Sequence, residues 1–293
     1  MLNDFSDKVA VITGAGSGFG REFARLGHQL GMRLVLADIQ QDALDATAAE
    51  LRAAGATLMA ERVDVSVGGD VECLARRARS AFGEVDLLFN NAGVGAGGLI
   101  WETSERDWQW VLGVNLWGVI HGIRAFVPSM IAKGSAGHVV NTASVAGLLS
   151  APLMGVYNVS KHAVVTLTET LHHDLKLAKA AIGCSVLCPA FVPTGIHESE
   201  RNRPAKAGDT GDDKPTASQL AARESIRKAV TSGRLTPQDV ARMTFDAIRN
   251  DRFYIITHPK ILGSIGLRHQ DIAEMRNPSD PYSYKPEVAN KLG

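Results

Sequence analysis

The sequence predicts an α/β protein built on a doubly wound parallel sheet of about seven strands. Three observations predict it. Short apolar runs alternate with longer helical patterns along roughly the first 190 residues. Most of these runs are apolar nearly throughout, the pattern of strands covered on both faces. The first run leads directly into a glycine-rich turn and then a helical pattern, the opening of a β-α-β unit.

KVAVIT (8–13) is the first strand, and TGAGSGFG (13–20) is the turn that follows it. RLVLAD (33–38), LMAERVDV (58–65), VDLLFNN (85–91), GHVVNTAS (137–144) and GCSVLCP (183–189) are the next five strands. Between them lie helical patterns such as QQDALDATAAELRAAG and GDVECLARRARSAFG, each ending in a glycine suited to a C-cap. Such alternation calls for right-handed crossovers with helices on both faces. After Pro189 the rhythm breaks. Residues 197–234 are polar and rich in Gly, Pro, Ser and Thr, and predict a mobile excursion ending in a short helix, placed as a lid. TPQDVARMTFDAIRN is a capped helix, with Thr236 as N-cap and Pro237 in the first position. RFYIIT (252–257) is the last strand. The tail from residue 277, NPSDPYSYKPEVANKLG, has three prolines and is expected to drape over a surface. With no repeat and no second core, residues 1–257 are read as one domain and 258–293 as a C-terminal extension.

Composition narrows the function classes. The 293 residues are 45% hydrophobic and 21% charged, with 31 basic and 31 acidic side chains. There is no basic surplus to suggest nucleic acid. The N-terminus, MLNDFSDKVAVITG, does not read as a signal peptide. The apolar stretch from Val111 is interrupted by Asn115, His121, Arg124 and Pro128, and reads as a buried amphipathic helix rather than a membrane span. Three cysteines follow no zinc spacing and are read as small buried side chains of a cytoplasmic protein. The nine histidines form no metal-binding pattern, so no metal site is expected.

Glycines 14, 16, 18 and 20 follow the first strand and precede a helix. Such a turn lets backbone N–H groups approach a pyrophosphate at a positively polarised helix N-terminus. The second strand ends at Asp38, 18 residues after Gly20. A carboxylate there can accept hydrogen bonds from both ribose hydroxyls of an adenosine and repels a 2′-phosphate. NAD(H) is therefore favoured over NADP(H), which the nearby Arg21 and Arg33 leave open. Asp38 can also cap the helix that follows.

In YNVSK, Tyr157 and Lys161 stand four residues apart, on one face of a helix. An ammonium beside a phenol is expected to lower the phenol's pKa. Ser144 closes the fifth predicted strand, at the sheet end where open α/β folds bind ligands. Together these motifs resemble the short-chain dehydrogenase/reductase family over residues 8 to about 256. The resemblance implies a Rossmann-like fold and a catalytic set of Asn115, Ser144, Tyr157 and Lys161. It implies cofactor contacts from Gly14, Ser17, Gly18, Phe19, Gly20, Asp38, Ile39, Asp64, Val65, Asn91, Ala92, Gly93, Tyr157, Lys161, Pro189, Val192 and Thr194. Asp64 matches the family's adenine-contacting acid. NNAG (90–93) matches the segment after the fourth strand, and PAFVPT (189–194) the nicotinamide segment, with Pro-Ala where Pro-Gly is usual. The resemblance further implies that Lys161 grips the nicotinamide ribose and that Asn115 holds a water linking Lys161 to solvent.

The expected reaction is hydride transfer between NAD(H) and an alcohol or ketone. Tyr157 acts as acid or base, and Ser144 holds the substrate oxygen. The walls expected near them, 94–100, 145–155 and 190–200, are apolar and suit a hydrophobic secondary alcohol or ketone. A homodimer or homotetramer is implied by resemblance and by the stripe Val164, Val165, Leu167, Leu171 and Leu175. A dinucleotide-binding regulator without turnover, and a dehydratase or epimerase on the same fold, are the alternatives.

Overall fold

The computed structural model describes residues 2–204 and 214–283. Its strands are β1 (Val9–Thr13), β2 (Arg33–Asp38), β3 (Leu58–Arg62), β4 (Leu87–Asn90), β5 (Gly137–Thr142), β6 (Ile182–Cys188) and β7 (Tyr254–Ile256). All pair in parallel, in the order β3-β2-β1-β4-β5-β6-β7. The helices are α1 (Gly18–Gln29), α2 (Gln41–Ala53), α3 (Gly68–Phe82), α4 (Glu105–Leu112), α5 (Gly118–Lys133), α6 (Gly155–Leu177), α7 (Ala217–Thr231), α8 (Pro237–Arg249) and α9 (Leu262–Ala273).

Side chains alternate along each strand, and here both sets are apolar. Ala10, Ile12, Leu34, Leu36 and Phe89 face α1 and α8, whose Phe23 and Phe245 reach the sheet. Phe23 stacks on Phe89 at 4.5 Å between ring centroids, and Phe245 meets Phe89 at 5.6 Å. Val9, Val11, Val35, Leu88 and Val139 face the other way, against side chains of α3, α5 and α6. Truncating Phe89 to alanine would open a cavity in the first layer, at a cost of about 3–5 kcal/mol.

The direction of winding reverses between β1 and β4, and this switch point opens a crevice beyond the strand C-termini. Buried polar groups tie the strand ends together there. The Thr13 hydroxyl accepts from the backbone N–H groups of Asn91 (2.9 Å) and Ala92 (3.1 Å), while the Asn91 amide donates to the Thr13 carbonyl at 3.0 Å. Asn90 donates to Asn141 at 2.9 Å, and Asn141 to Thr168 of α6 at 3.0 Å.

Several expectations need correction. β3 stops at Arg62, where its partner β2 also ends, and β5 stops at Thr142, two residues before Ser144. In the region 197–234, the described residues 197–204 and 214–234 are more ordered than their composition suggests. Gly195–Asn202 forms 3-10 turns and α7 runs for 15 residues, fixed by a Thr216–Gln219 capping box; residues 205–213 lie outside the described residues. Helix α9 in the extension had no clear sequence signal. Cys73 is exposed, while Cys184 and Cys188 are buried. In the α6 stripe, Val164, Val165, Leu171 and Leu175 are buried within this chain, so the stripe is internal core and does not argue for assembly.

Glu105–Lys133 is one helical run long and apolar enough by composition to cross a membrane. Its Val111, Val119, Phe126, Val127 and Met130 are buried in the fold. A π turn, Gly113–Trp117, interrupts it and carries Asn115 inward.

Candidate active site

The cleft at the strand C-termini begins where β1 turns into α1. Gly14 has φ +68°, and a Cβ there would lie 2.9 Å from the Ala92 Cα. Gly20 sits beneath the turn, where a Cβ would lie 2.0 Å from the Gly14 carbonyl oxygen. Gly20 therefore closes the turn against the helix and does not line the cleft, a correction to its expected direct contact. No side chain caps α1, and its first turn contains no acid, so its N–H groups suit an anion.

Asp38 stands at the end of β2. Its Oδ2 accepts from the Gly16 N–H at 2.8 Å and its Oδ1 from the Gln40 N–H at 2.9 Å. Gln40, not Asp38, occupies the N-cap position of α2. The two arginines that left NADP(H) open are engaged elsewhere. Arg21 pairs with Glu50, and Arg33 donates to the Asp7 and Phe82 carbonyls. Neither lines the cleft.

Ser17, Gly18, Phe19, Ile39, Asp64, Val65, Asn91, Ala92, Gly93, Pro189, Val192 and Thr194 line the cleft with Gly14 and Asp38. Asp64 accepts from the Ser66 N–H at 2.9 Å and the Ser66 hydroxyl at 2.6 Å, which orients the β3–α3 loop. Gln40 reaches across to donate to the Asn202 side chain at 2.5 Å, a bridge that its position in the sequence did not reveal.

Ser144, Tyr157 and Lys161 meet at the inner end. Ser144 begins a short turn after β5, accepting from the Ala146 N–H at 3.1 Å and donating to the Pro189 carbonyl at 3.3 Å. Tyr157 and Lys161 lie one turn apart on α6, both buried. Lys161 Nζ donates to the Thr142 carbonyl at 2.9 Å and lies 5.7 Å from the Tyr157 ring centroid.

Burial is the dominant influence on both groups. It pushes the Tyr157 phenol up to about 12, against a hydrogen bond with Ser144 that favours ionisation. It also pushes the Lys161 ammonium down to about 8. The expected lowering of the Tyr157 pKa is thus reversed. Spacing along a helix conveys the proximity of the ammonium but not the removal of water from both groups.

Asn115 is fully buried and lies behind this group rather than in the cleft. Its Oδ1 accepts from the Val94 N–H at 2.8 Å, and its Nδ2 donates to the Val94 carbonyl at 2.9 Å and Ser160 Oγ at 3.1 Å. Its side chain therefore braces the loop after β4 against α6.

A second cavity adjoins the first, and Ser144, Tyr157 and Ala190 line both. Its apolar wall includes Leu149, Met154, Phe191, Ile196, Ile226 and Ile261. The wall is not apolar throughout, because Asp107, Glu200, Arg203 and Arg223 also line it, three of them from outside the stretches expected to form it. Arg203 donates to Asp107 at 2.6 Å and to Glu200 at 2.9 Å, Arg223 donates to Glu200 at 3.0 Å, and the Arg203 guanidinium lies 4.5 Å from a Trp110 ring centroid. Burial works against the Asp107 charge, but hydrogen bonds from Arg203 and Ser104 outweigh it and hold the carboxyl below its usual range. These charged residues come from segments far apart in sequence, which is why local patterns missed them.

Residues 8–205 match the family model described as short chain dehydrogenase. The chain belongs to the short-chain dehydrogenase family. A short chain dehydrogenase/reductase from Burkholderia phymatum, solved in complex with NAD, is 60% identical, with a TM-score of 0.93 covering 96% of this chain and 99% of the other. A C alpha-dehydrogenase from Sphingobium is 36% identical over 98% of this chain and 93% of its own. A CLA biosynthesis dehydrogenase/reductase from Lactiplantibacillus plantarum is 36% identical over 88% of this chain and 91% of its own. Membership in the short-chain dehydrogenase family supports oxidoreduction with a nicotinamide dinucleotide, and the glycine turn, open helix N-terminus and Asp38 fit such a cofactor.

Proposed function

We propose that the protein transfers hydride between NAD(H) and a hydrophobic secondary alcohol or ketone, with Tyr157 as the general acid and base. One observation carries the reading: Ser144 and Tyr157 form a wall common to the cofactor cleft and an apolar cavity. When bound, NAD(H) supplies the hydride donor or acceptor. Ser144 holds the substrate oxygen within reach of the phenol. In reduction Tyr157 gives its proton to that oxygen, and at neutral pH the buried phenol already carries it. In oxidation Tyr157 takes the alcohol proton, which requires its pKa to fall toward working pH; Lys161, held beside it, supplies favourable charge when protonated. Asn115 keeps the Val94 loop and α6 in register.

Preference for NAD(H) is supported by the Asp38 carboxylate, the engagement of Arg21 and Arg33 elsewhere, and the NAD complex of the Burkholderia phymatum relative. The described stretches 197–204 and 214–234 are read as the cavity's cover, because Arg203 and Arg223 join its wall and Ser218 Oγ meets the Glu102 carboxylate at 2.6 Å. Deleting 203–215 is expected to raise the substrate KM far more than the NAD KM; equal changes would remove the lid from this reading.

The primary test is an NADH absorbance assay over aryl, cyclic and small polar secondary alcohols, with NAD+ and NADP+. The expected result is turnover of hydrophobic alcohols with NAD+. Preference for NADP+ would overturn the cofactor assignment alone. Preference for glycerol-sized polyols would overturn the substrate class. Substrate consumption with no change in NADH, as in a net dehydration, would overturn the reaction.

A further inference from the structure

The C-terminal extension returns to the substrate cavity. Asp271, buried near the end of α9, accepts the Ser279 backbone N–H on Oδ2 at 2.8 Å, and its Oδ1 meets the Arg276 guanidinium at 3.0 Å. The Arg276 N–H donates to the Asp271 carbonyl at 2.8 Å, turning the chain back on the helix. Asp280 makes the next turn, taking the Tyr282 N–H on Oδ1 at 2.9 Å and the Ser283 N–H on its carbonyl at 3.0 Å. These successive turns bring Pro281 and Tyr282 into the wall of the cavity that contains Ser144 and Tyr157. His258 and Ile261, which precede α9, line the same cavity, so the extension supplies wall on both sides of α9.

The chain from Arg276 to Ser283 has no Leu, Ile, Val or Met side chain, and a buried carboxylate is costly to leave without its partners. The Asp271 contacts therefore give this part of the chain a defined position. Tyr282 is half-buried, and an aromatic ring gives a large contact area for little loss of side-chain freedom.

We propose that Tyr282, seated by Asp271, is a specificity-determining residue whose ring limits the size of the group accepted by the cavity. Asp271 is a positioning residue, acting through the turn that carries Tyr282. The proposal rests on the reading of this cavity as the site of a hydrophobic alcohol or ketone.

The test compares reduction of acetophenone and 2-acetylnaphthalene by wild-type enzyme with NADH. Tyr282→Ala is expected to raise the acetophenone KM about tenfold. The ratio of kcat/KM values should shift toward the larger ketone, with the NADH Kd held within about twofold. Tyr282→Phe is expected to restore the wild-type ratio, and Asp271→Asn to shift it in the alanine direction. An unchanged ratio in Tyr282→Ala, or an equal loss of NADH binding, would overturn the proposal.

A second readout needs no turnover. With 3-fluorotyrosine at the four tyrosines, the 19F resonance lost in Tyr282→Phe reports residue 282. Asp271→Asn is expected to move it toward the position of free fluorotyrosine. A resonance already at that position in wild type, and unmoved by the variant, would overturn the seating of Tyr282. Should wild type reduce neither ketone, the hydrophobic-carbonyl reading and the specificity role of Tyr282 both fall, while a shifted resonance keeps the seating.

Discussion

Around the cleft at the β1–α1 turn, backbone groups do most of the holding; around the adjoining cavity, charged side chains have a larger part. In the cleft, Asp38 takes two backbone N–H groups and Thr13 takes two more, while glycines allow close approach. At the cavity, Arg203 joins Asp107 to Glu200, Arg223 joins the same Glu200, and Asp271 anchors the tail. Backbone contacts tolerate many side chains outside the turn but demand particular residues within it. Side-chain contacts can be re-arranged one pair at a time.

The largest expected effect is at the shared wall. Tyr157→Phe should lower kcat by about 10²–10⁴. Fluorescence titration should show NADH binding nearly unchanged. Loss of binding parallel to the loss of rate would make Tyr157 a structural part of the cleft instead.

The next test concerns the scaffold beneath both regions. His138 is buried on β5, its Nε2 is 2.8 Å from Ser185 Oγ, and burial pushes its imidazole down to about 4 from an ordinary 6.5. Folding therefore favours neutral His138. That stability is fully present above pH 6.5 and is lost as pH falls toward 4. Urea unfolding at pH 5 should show about 2 kcal/mol less stability than at pH 7 from this group. His138→Gln should reduce that pH dependence, and an unchanged dependence would assign it to other groups.

Within the cleft, Asp38→Asn should raise the NAD KM about tenfold, of the order expected for one charge-assisted hydrogen bond. The NADP KM should fall. In the cavity, Asp107→Asn should raise substrate KM a few-fold and cost about 1–2 kcal/mol of stability, because Arg203 loses one of its two carboxylate partners. Its NAD KM should not move. If Asp38→Asn alters substrate KM as strongly, or Asp107→Asn alters NAD KM, the two regions are coupled and the contrast fails.

The sequence by itself determined the alternation of strands and helices, the glycine turn, Asp38 and the Tyr157–Lys161 pair. Each depends on neighbours a few residues away or on a strand end, where periodicity and local sterics speak directly. Most residues expected at the cleft line it, although Gly20 lies beneath the turn and Asn115 behind the wall. Only the tertiary structure decided the protonation balance of Tyr157 and Lys161, because both are shielded by residues from other segments. It also decided that Gln40 meets Asn202, that Arg203 meets Asp107, and that Tyr282 reaches the cavity. These are meetings between distant parts of the chain. No local period encodes them, and they arise only when the sheet and its helices have brought those parts to the same end of the molecule.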